Sequence, residues 1–143
     1  MYIKLNNFSA ALKDYNKIIQ LNPTSINAYY NRAKLYSKLN KFSIAIKDYS
    51  SIIDLNPRDI NAYYNRAILN SKLNNFLPSI QDYSKVIQLR PNYINAYRNR
   101  AIAKWNLGDQ EGACADRKIL ISLGDSKTQK WINTLPGAWC REM

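Results

Sequence analysis

The chain has 143 residues, with 21 Lys and Arg against 10 Asp and Glu, a formal net charge of +11 and a pI near 9.7. It holds no histidine, which removes every serine or cysteine nucleophile that needs an imidazole base, and two cysteines alone are too few for a zinc site. Four glycines leave no glycine-rich phosphate loop, and no apolar run approaches the roughly 18 residues of a membrane helix.

The sequence repeats itself. Pro23, Pro57 and Pro91 are spaced by 34. The phrase Ile26-Asn27-Ala28-Tyr29-Tyr30-Asn31-Arg32-Ala33 returns at Ile60–Ala67 and, with Arg98 for the second Tyr, at Ile94–Ala101. Phe8, Phe42 and Phe76 keep the same step, as do Tyr15, Tyr49 and Tyr83. Fixed periods of this size mark stacked supersecondary units, none of which buries its apolar face alone.

Residues 1–25 form a partial unit: about five residues of a first helix, then a second helix over roughly 8–21. That second helix lacks most of its partner, so Phe8, Leu12 or Ile18 is expected to be partly exposed. Two readings follow: a piece of a longer repeat protein, or a face that another chain covers, self-association included. In unit 26–59, Tyr29, Ala33, Tyr36 and Leu39 make one helical stripe, with Ser25 as N-cap. Asn40-Lys41 turns the chain, and Phe42, Ala45, Ile46, Tyr49, Ile52 and Ile53 make a second stripe. Leu55-Asn56-Pro57 stops it, since the residue before Pro is pushed out of helical conformation. Unit 60–93 repeats this, with Pro78 in the first turn of its second helix, where a missing N–H costs little. Unit 94–124 is degenerate: Gly108–Asp116 opens its second helix, Arg117 replaces the repeated Tyr, and Gly124 is a C′ residue. In 125–143 a short capping helix over about Ser126–Asn133 is expected, with Trp131 and Ile132 inward, then a tail.

These anchors resemble the tetratricopeptide repeat family over residues 1 to about 124: Tyr29, Ala33, Tyr36, Ala45, Tyr49 and Pro57 in one unit, Tyr63, Ala67, Tyr83 and Pro91 in the next. The resemblance implies an all-α, right-handed α-solenoid of antiparallel helix pairs with a concave inner face. Arg32, Arg66 and Arg100 depart from it, standing where the family usually has Leu. The C-terminal end resembles the cysteine-containing last repeat and cap of many bacterial members.

In this family the first helix of each pair lines the groove, which selects Asn27, Asn31, Asn61, Asn65, Asn95 and Asn99. An amide offers one acceptor and two donors, so a column of them suits a peptide backbone. Beside it stand Tyr30, Tyr64 and Arg98, then Lys34, Ile68 and Ile102, with Lys38, Lys72 and Trp105 near the rim. The Tyr residues read equally as packing between repeats. The chaperone-tail clamp of some members matches only at Asn65, so no such clamp is expected. Arg32, Arg66 and Arg100 share their step with Asp14, Asp48, Asp82 and Asp116, which predicts structural ion pairs. Cys114 and Cys140 read as two free thiols in preference to a disulfide pinning the tail.

Charge is spread evenly, at +2 for residues 1–25 and +3 for each of 26–59, 60–93 and 94–143, so there is no basic block. The expected function is non-enzymatic: a protein–protein interaction scaffold, without cofactor or metal, that holds a partner peptide or helix in the groove. Amides would grip its backbone, and Tyr and basic side chains would select acidic or aromatic residues. No small-molecule substrate or membrane is expected. The alternatives are RNA binding along the basic inner face and a targeting fragment of a larger protein. The opening residues lack the charged-then-apolar order of a signal peptide, so the expected location is cytoplasmic.

Overall fold

The structure, a computed structural model, describes residues 2–132 and 140, with side chains for 7–130 and 140. The described chain is a run of helices: α1 (Tyr2–Leu21), α2 (Ile26–Lys38), α3 (Phe42–Leu55), α4 (Ile60–Lys72), α5 (Phe76–Leu89), α6 (Ile94–Asn106), α7 (Gln110–Ser122) and α8 (Ser126–Ile132). Each packs chiefly on its neighbours in sequence. This is the right-handed α-solenoid of antiparallel helix pairs. No helix among the described residues is long and apolar enough to cross a membrane.

The turns within the three pairs and the one after the last pair share one device. Asn40, Asn74, Gly108 and Gly124 all have positive φ, from 57° to 89°. In each case the next residue's N–H reaches back five residues, as Lys41 does to the Tyr36 carbonyl at 2.9 Å and Asp125 to Leu120 at 2.9 Å. This is the Schellman ending, which needs a residue tolerant of left-handed backbone; Gly and Asn are those residues. At the other connection Asp59 caps α4 by accepting from the Ala62 N–H at 2.9 Å. Ser25 holds the matching place before α2, but its side chain makes no cap bond.

Small residues set the packing distance. Ala33, Ala45, Ala62, Ala67 and Ala96 are fully enclosed and let the backbones approach closely. Tyr49, Ile52, Tyr83 and Val86 fill the space between successive pairs.

The start differs from the sequence reading. The expected break at Asn6-Asn7 is absent, and α1 runs unbroken through it. A five-residue stub has no length to pack back, and a helix propagates more easily than a second one nucleates. As expected, α1 buries none of its described residues: Phe8 and Leu12 are half-buried, and Ile18 and Leu21 are 43% and 73% exposed. At the far end α8 begins at the expected residue. The inward placement of Trp131 and Ile132 lies outside the described side chains, as do residues 133–139.

Candidate functional site

The first helices of the pairs, α2, α4 and α6, lie on the inside of the curve, where α4 also touches α6 directly. Three hollows run along them. The first, of about 260 Å³, is lined by Lys34, Ser37 and Lys38 of α2, Tyr49 of α3, and Asn65, Ile68, Leu69 and Lys72 of α4. The second, also about 260 Å³, is lined by Ile68, Ser71 and Lys72 of α4, Tyr83 of α5, and Asn99 and Ile102 of α6. The third, of about 320 Å³, lies among α6, α7 and α8 and is lined by Arg98, Ala101, Ile102, Arg117, Leu120, Lys127 and Thr128. Ile68 and Lys72 belong to both the first and second hollows, and Ile102 to both the second and third. The three therefore share walls and form a row of adjoining hollows, the track.

The track is apolar below and cationic at its edges. Lys34, Lys38, Lys72, Arg98, Arg117 and Lys127 line it, and no carboxylate among the described residues does. Lys72 also lies 5.0 Å from the centre of the Phe42 ring, which holds its ammonium near the surface. The floor phenols of Tyr49 and Tyr83 are buried, and burial pushes each up to about 12.

The sequence-selected residues divide between this track and the scaffold. Lys34, Lys38, Asn65, Ile68, Lys72, Arg98, Asn99 and Ile102 line it. Asn27, Asn31, Asn61 and Asn95 line none of the three hollows and are exposed, Asn95 accepting from Arg98 at 2.8 Å. Trp105 also stands outside them, 39% exposed, with the Arg117 guanidinium 5.5 Å over its ring. The amide column is thus uneven, with Asn65 half-buried in the track and Asn99 donating to the Tyr64 hydroxyl at 3.1 Å.

Tyr30, Tyr64 and Arg98 are clasps between repeats. Each reaches the residue that precedes the next first helix. Tyr30 donates to Asp59, Tyr64 lies against Tyr93 with ring centres 5.1 Å apart, and Arg98 bonds Asp125 at 3.1 Å. Burial, then Asp59, raises the Tyr30 pKa far above that of a free phenol, so this hydroxyl stays a donor. Burial also raises Tyr64. Donation from Thr128, joined by Arg98, lowers Asp125. Two of the three Tyr/Arg positions are therefore committed to packing, and only Arg98 also faces the track.

The Arg and Asp columns meet. Arg32 donates to both carboxylate oxygens of Asp48 at 2.9 and 2.6 Å, Arg66 to Asp82 at 2.8 and 2.8 Å, and Arg100 to Asp116 at 2.8 and 2.5 Å. A third nitrogen bonds sixteen residues back, to Asn16, Ser50 or Ser84. Each guanidinium also lies over a Tyr three residues earlier, at 5.5–5.7 Å. One Arg thus bolts its own pair to the pair before it. Hydrogen bonding to the carboxylates raises Arg32 and Arg66 above the ordinary arginine value. Asp14 is the exception: it is exposed and has no ion pair among the described residues. The step of the column showed the pairing with Asp, while Asn16, Ser50 and Ser84 on the other side were missed although they keep the same 34-residue step.

The cysteines do not stay apart. Cys114 of α7 and Cys140 are joined as a disulfide, buried against Ile121, with Cα atoms 5.5 Å apart. The preference for free thiols rested on the expected compartment, whereas the fold places Cys140 against Cys114 of α7.

Sequence and fold comparisons agree with this architecture. Residues 1–40 match the TPR repeat family, and residues 26–59 and 60–93 each match the tetratricopeptide repeat family. A search of curated proteins finds no match. Among solved structures, one titled MamA protein superposes with a TM-score of 0.77 at 23% identity, over 90% of this chain and 70% of that one. MamA 41-end from Desulfovibrio magneticus RS-1 gives 0.74 at 18% identity, over 87% and 70%. A tetratricopeptide repeat protein from Parabacteroides merdae gives 0.72 at 26% identity, over 83% of this chain and 46% of that one.

Proposed function

The chain belongs to the tetratricopeptide repeat family, and from that premise we propose that it is a non-enzymatic protein–protein interaction scaffold whose inner track holds an acidic peptide. One observation carries the reading: three adjoining hollows in a row, lined by six cations and, among the described residues, by no carboxylate. An extended chain advances about 3.3 Å per residue, so a short peptide spans several hollows. Asn65 supplies amide contacts to its backbone, Ile68 and Ile102 contact apolar side chains, and the lysines attract its carboxylates from a distance.

RNA is the weaker reading. Sequence-tolerant RNA binding needs aromatic faces on which bases stack. The two aromatic residues that line the track, Tyr49 and Tyr83, are 3% and 1% exposed and offer no such face. The paired cysteines support an oxidising compartment over the cytoplasm.

The test is fluorescence anisotropy with a fluorescein-labelled nine-residue peptide of Glu, Leu and Tyr. Changing Lys34, Lys38 and Lys72 together to Gln is expected to weaken binding at least tenfold at low salt. An unchanged affinity would reject the track. A poly-uridine probe that binds more tightly than the peptide, with affinity falling steeply as salt rises, would move the assignment to RNA.

A further inference from the structure

The three Arg–Asp bolts are alike, but their surroundings are not. One helical turn after each Arg stands a different residue: Tyr36, Asn70 or Lys104. In unit 94–124 the Lys104 ammonium lies 3.1 Å from Asp116 Oδ2 and donates to the Gly112 carbonyl at 3.2 Å. In unit 26–59 the half-buried Tyr36 takes that place. In unit 60–93 the place is a hollow of about 260 Å³ beside the Arg66–Asp82 pair, between α3, α4 and α5. None of its lining residues lines the track.

Asn70 is the telling residue. It is 7% exposed, lines the hollow, and its amide makes no hydrogen bond among the described residues. Buried amides are normally paired, so one kept here is suited to a group that enters the hollow. The other polar groups are acceptors too. Gln81 stands at the rim, and Asp82 takes one Arg66 bond on each oxygen, which leaves lone pairs on both. Pro78 holds the place of Gly112 and, with Ile46, gives an apolar wall. The charge also differs in this unit. Asp54 stands where the neighbouring units have Gln20 and Gln88. Arg66 is raised first by its bonds to Asp82, and the charge of Asp54 adds to the rise. Two carboxylates therefore act on one guanidinium.

We propose that this hollow binds a primary ammonium group on a short alkyl stem, from the lysine side chain of a partner protein or from a free alkylamine. The ammonium donates to Asp82, Asn70 and Gln81, in the place that Lys104 holds in the next unit. The stem lies on Ile46 and Pro78, as lysine stems lie on apolar surface elsewhere. At about 260 Å³ the space falls below the roughly 300–1,000 Å³ of ligand pockets, which suits one side chain and not a cofactor. The site is separate from the track and does not rest on the peptide reading.

The probe is n-butylammonium chloride, titrated into the isotope-labelled full chain and followed by NMR at the Asn70 and Gln81 side-chain amides. A saturable shift is expected, with butan-1-ol, the neutral molecule of the same shape, at least about tenfold weaker. Asn70→Lys installs the residue of the next unit, and it is expected to weaken butylammonium at least about tenfold without lowering the thermal midpoint. Asp54→Asn, at an exposed position, is expected to weaken it about threefold. The peptide acetyl-Gly-Lys-Gly-amide separates the sources: tighter binding than butylammonium assigns a partner's lysine, and equal or weaker binding a free amine. Shifts of equal size and affinity with butan-1-ol, no saturable shift at either amide, or Asn70→Lys binding within twofold of the parent overturns the site. If Asn70→Lys does not fold, an unchanged affinity in Asp54→Asn overturns it.

Discussion

Helices α1 and α5 carry the same pattern and live differently. Tyr15 and Tyr83, Asp14 and Asp82, Phe8 and Phe76 are equivalent pairs. In α5 the Tyr is 1% exposed and the Asp is buried against Arg66. In α1 the Tyr is half-buried and the Asp is exposed. The difference among the described residues is that α5 packs between α4 and α6, whereas α1 packs on α2 alone. Burial and ion pairing in this fold are properties of the stack, not of the unit, as expected when stability is a sum of intrinsic and nearest-neighbour interface terms.

Mutations at equivalent positions break or sharpen that contrast. The largest effect is expected for Tyr83→Ala, about 4 kcal/mol, because it empties a filled site between pairs. Tyr15→Ala is expected to cost about 1 kcal/mol. Urea unfolding followed by circular dichroism measures both, and equal losses would refute the stack argument. The buried phenols also give an alkaline signature. Tyr49 and Tyr83 have pKa values raised to about 12 from 10, so their contribution to stability is full below pH 10 and is lost as pH rises through about 12. Absorbance of tyrosinate against pH should show a late-ionising fraction that disappears in urea.

Next is Asp82→Ala, expected to cost about 3 kcal/mol by leaving the Arg66 guanidinium, 23% exposed, without its carboxylate. Asp14→Ala should change stability by less than about 0.5 kcal/mol in the same assay. At the other end, Cys140→Ser removes a cross-link that closes a 26-residue separation, with an expected loss of about 2 kcal/mol under oxidising conditions. The parent protein in reductant should lose the same amount and the variant nothing further. The smallest effect is expected for Ile18→Ser on α1, within about 0.5 kcal/mol, where Ile52→Ser in the core should cost about 3 kcal/mol. Thermal melts separate the two.

Much of this was legible from 34-residue arithmetic, because a copied residue identifies its own partner column. The helix pairs, the turn at Asn40 and the Arg and Asp columns are of that kind. Features at a single place were not legible. Nothing local distinguishes Asn6-Asn7, which stays helical, from Asn40-Lys41, which turns, because the turn needs a packed hairpin behind it. Tyr30 and Tyr64 read as groove or packing with equal ease, since their partners, Asp59 and Tyr93, differ between repeats. The joining of Cys114 to Cys140 depends on the path of a tail that follows no lattice.

The sixteen-residue reach of each Arg in both directions has a consequence for how such a chain can lengthen. Arg66 holds Ser50 behind it and Asp82 ahead, and Arg100 holds Ser84 and Asp116. If residues 60–93 were duplicated in tandem, the new Arg would find the first copy's Ser84 behind it and its own Asp ahead, and Arg100 would find the second copy's Ser84 at the old distance. Insertion of a whole period is therefore silent to the network. An insertion between Ser50 and Asp82, or between Ser84 and Asp116, that is not a multiple of 34 would change a sixteen-residue spacing, so within these stretches the ladder acts as a ruler that favours growth in units of 34.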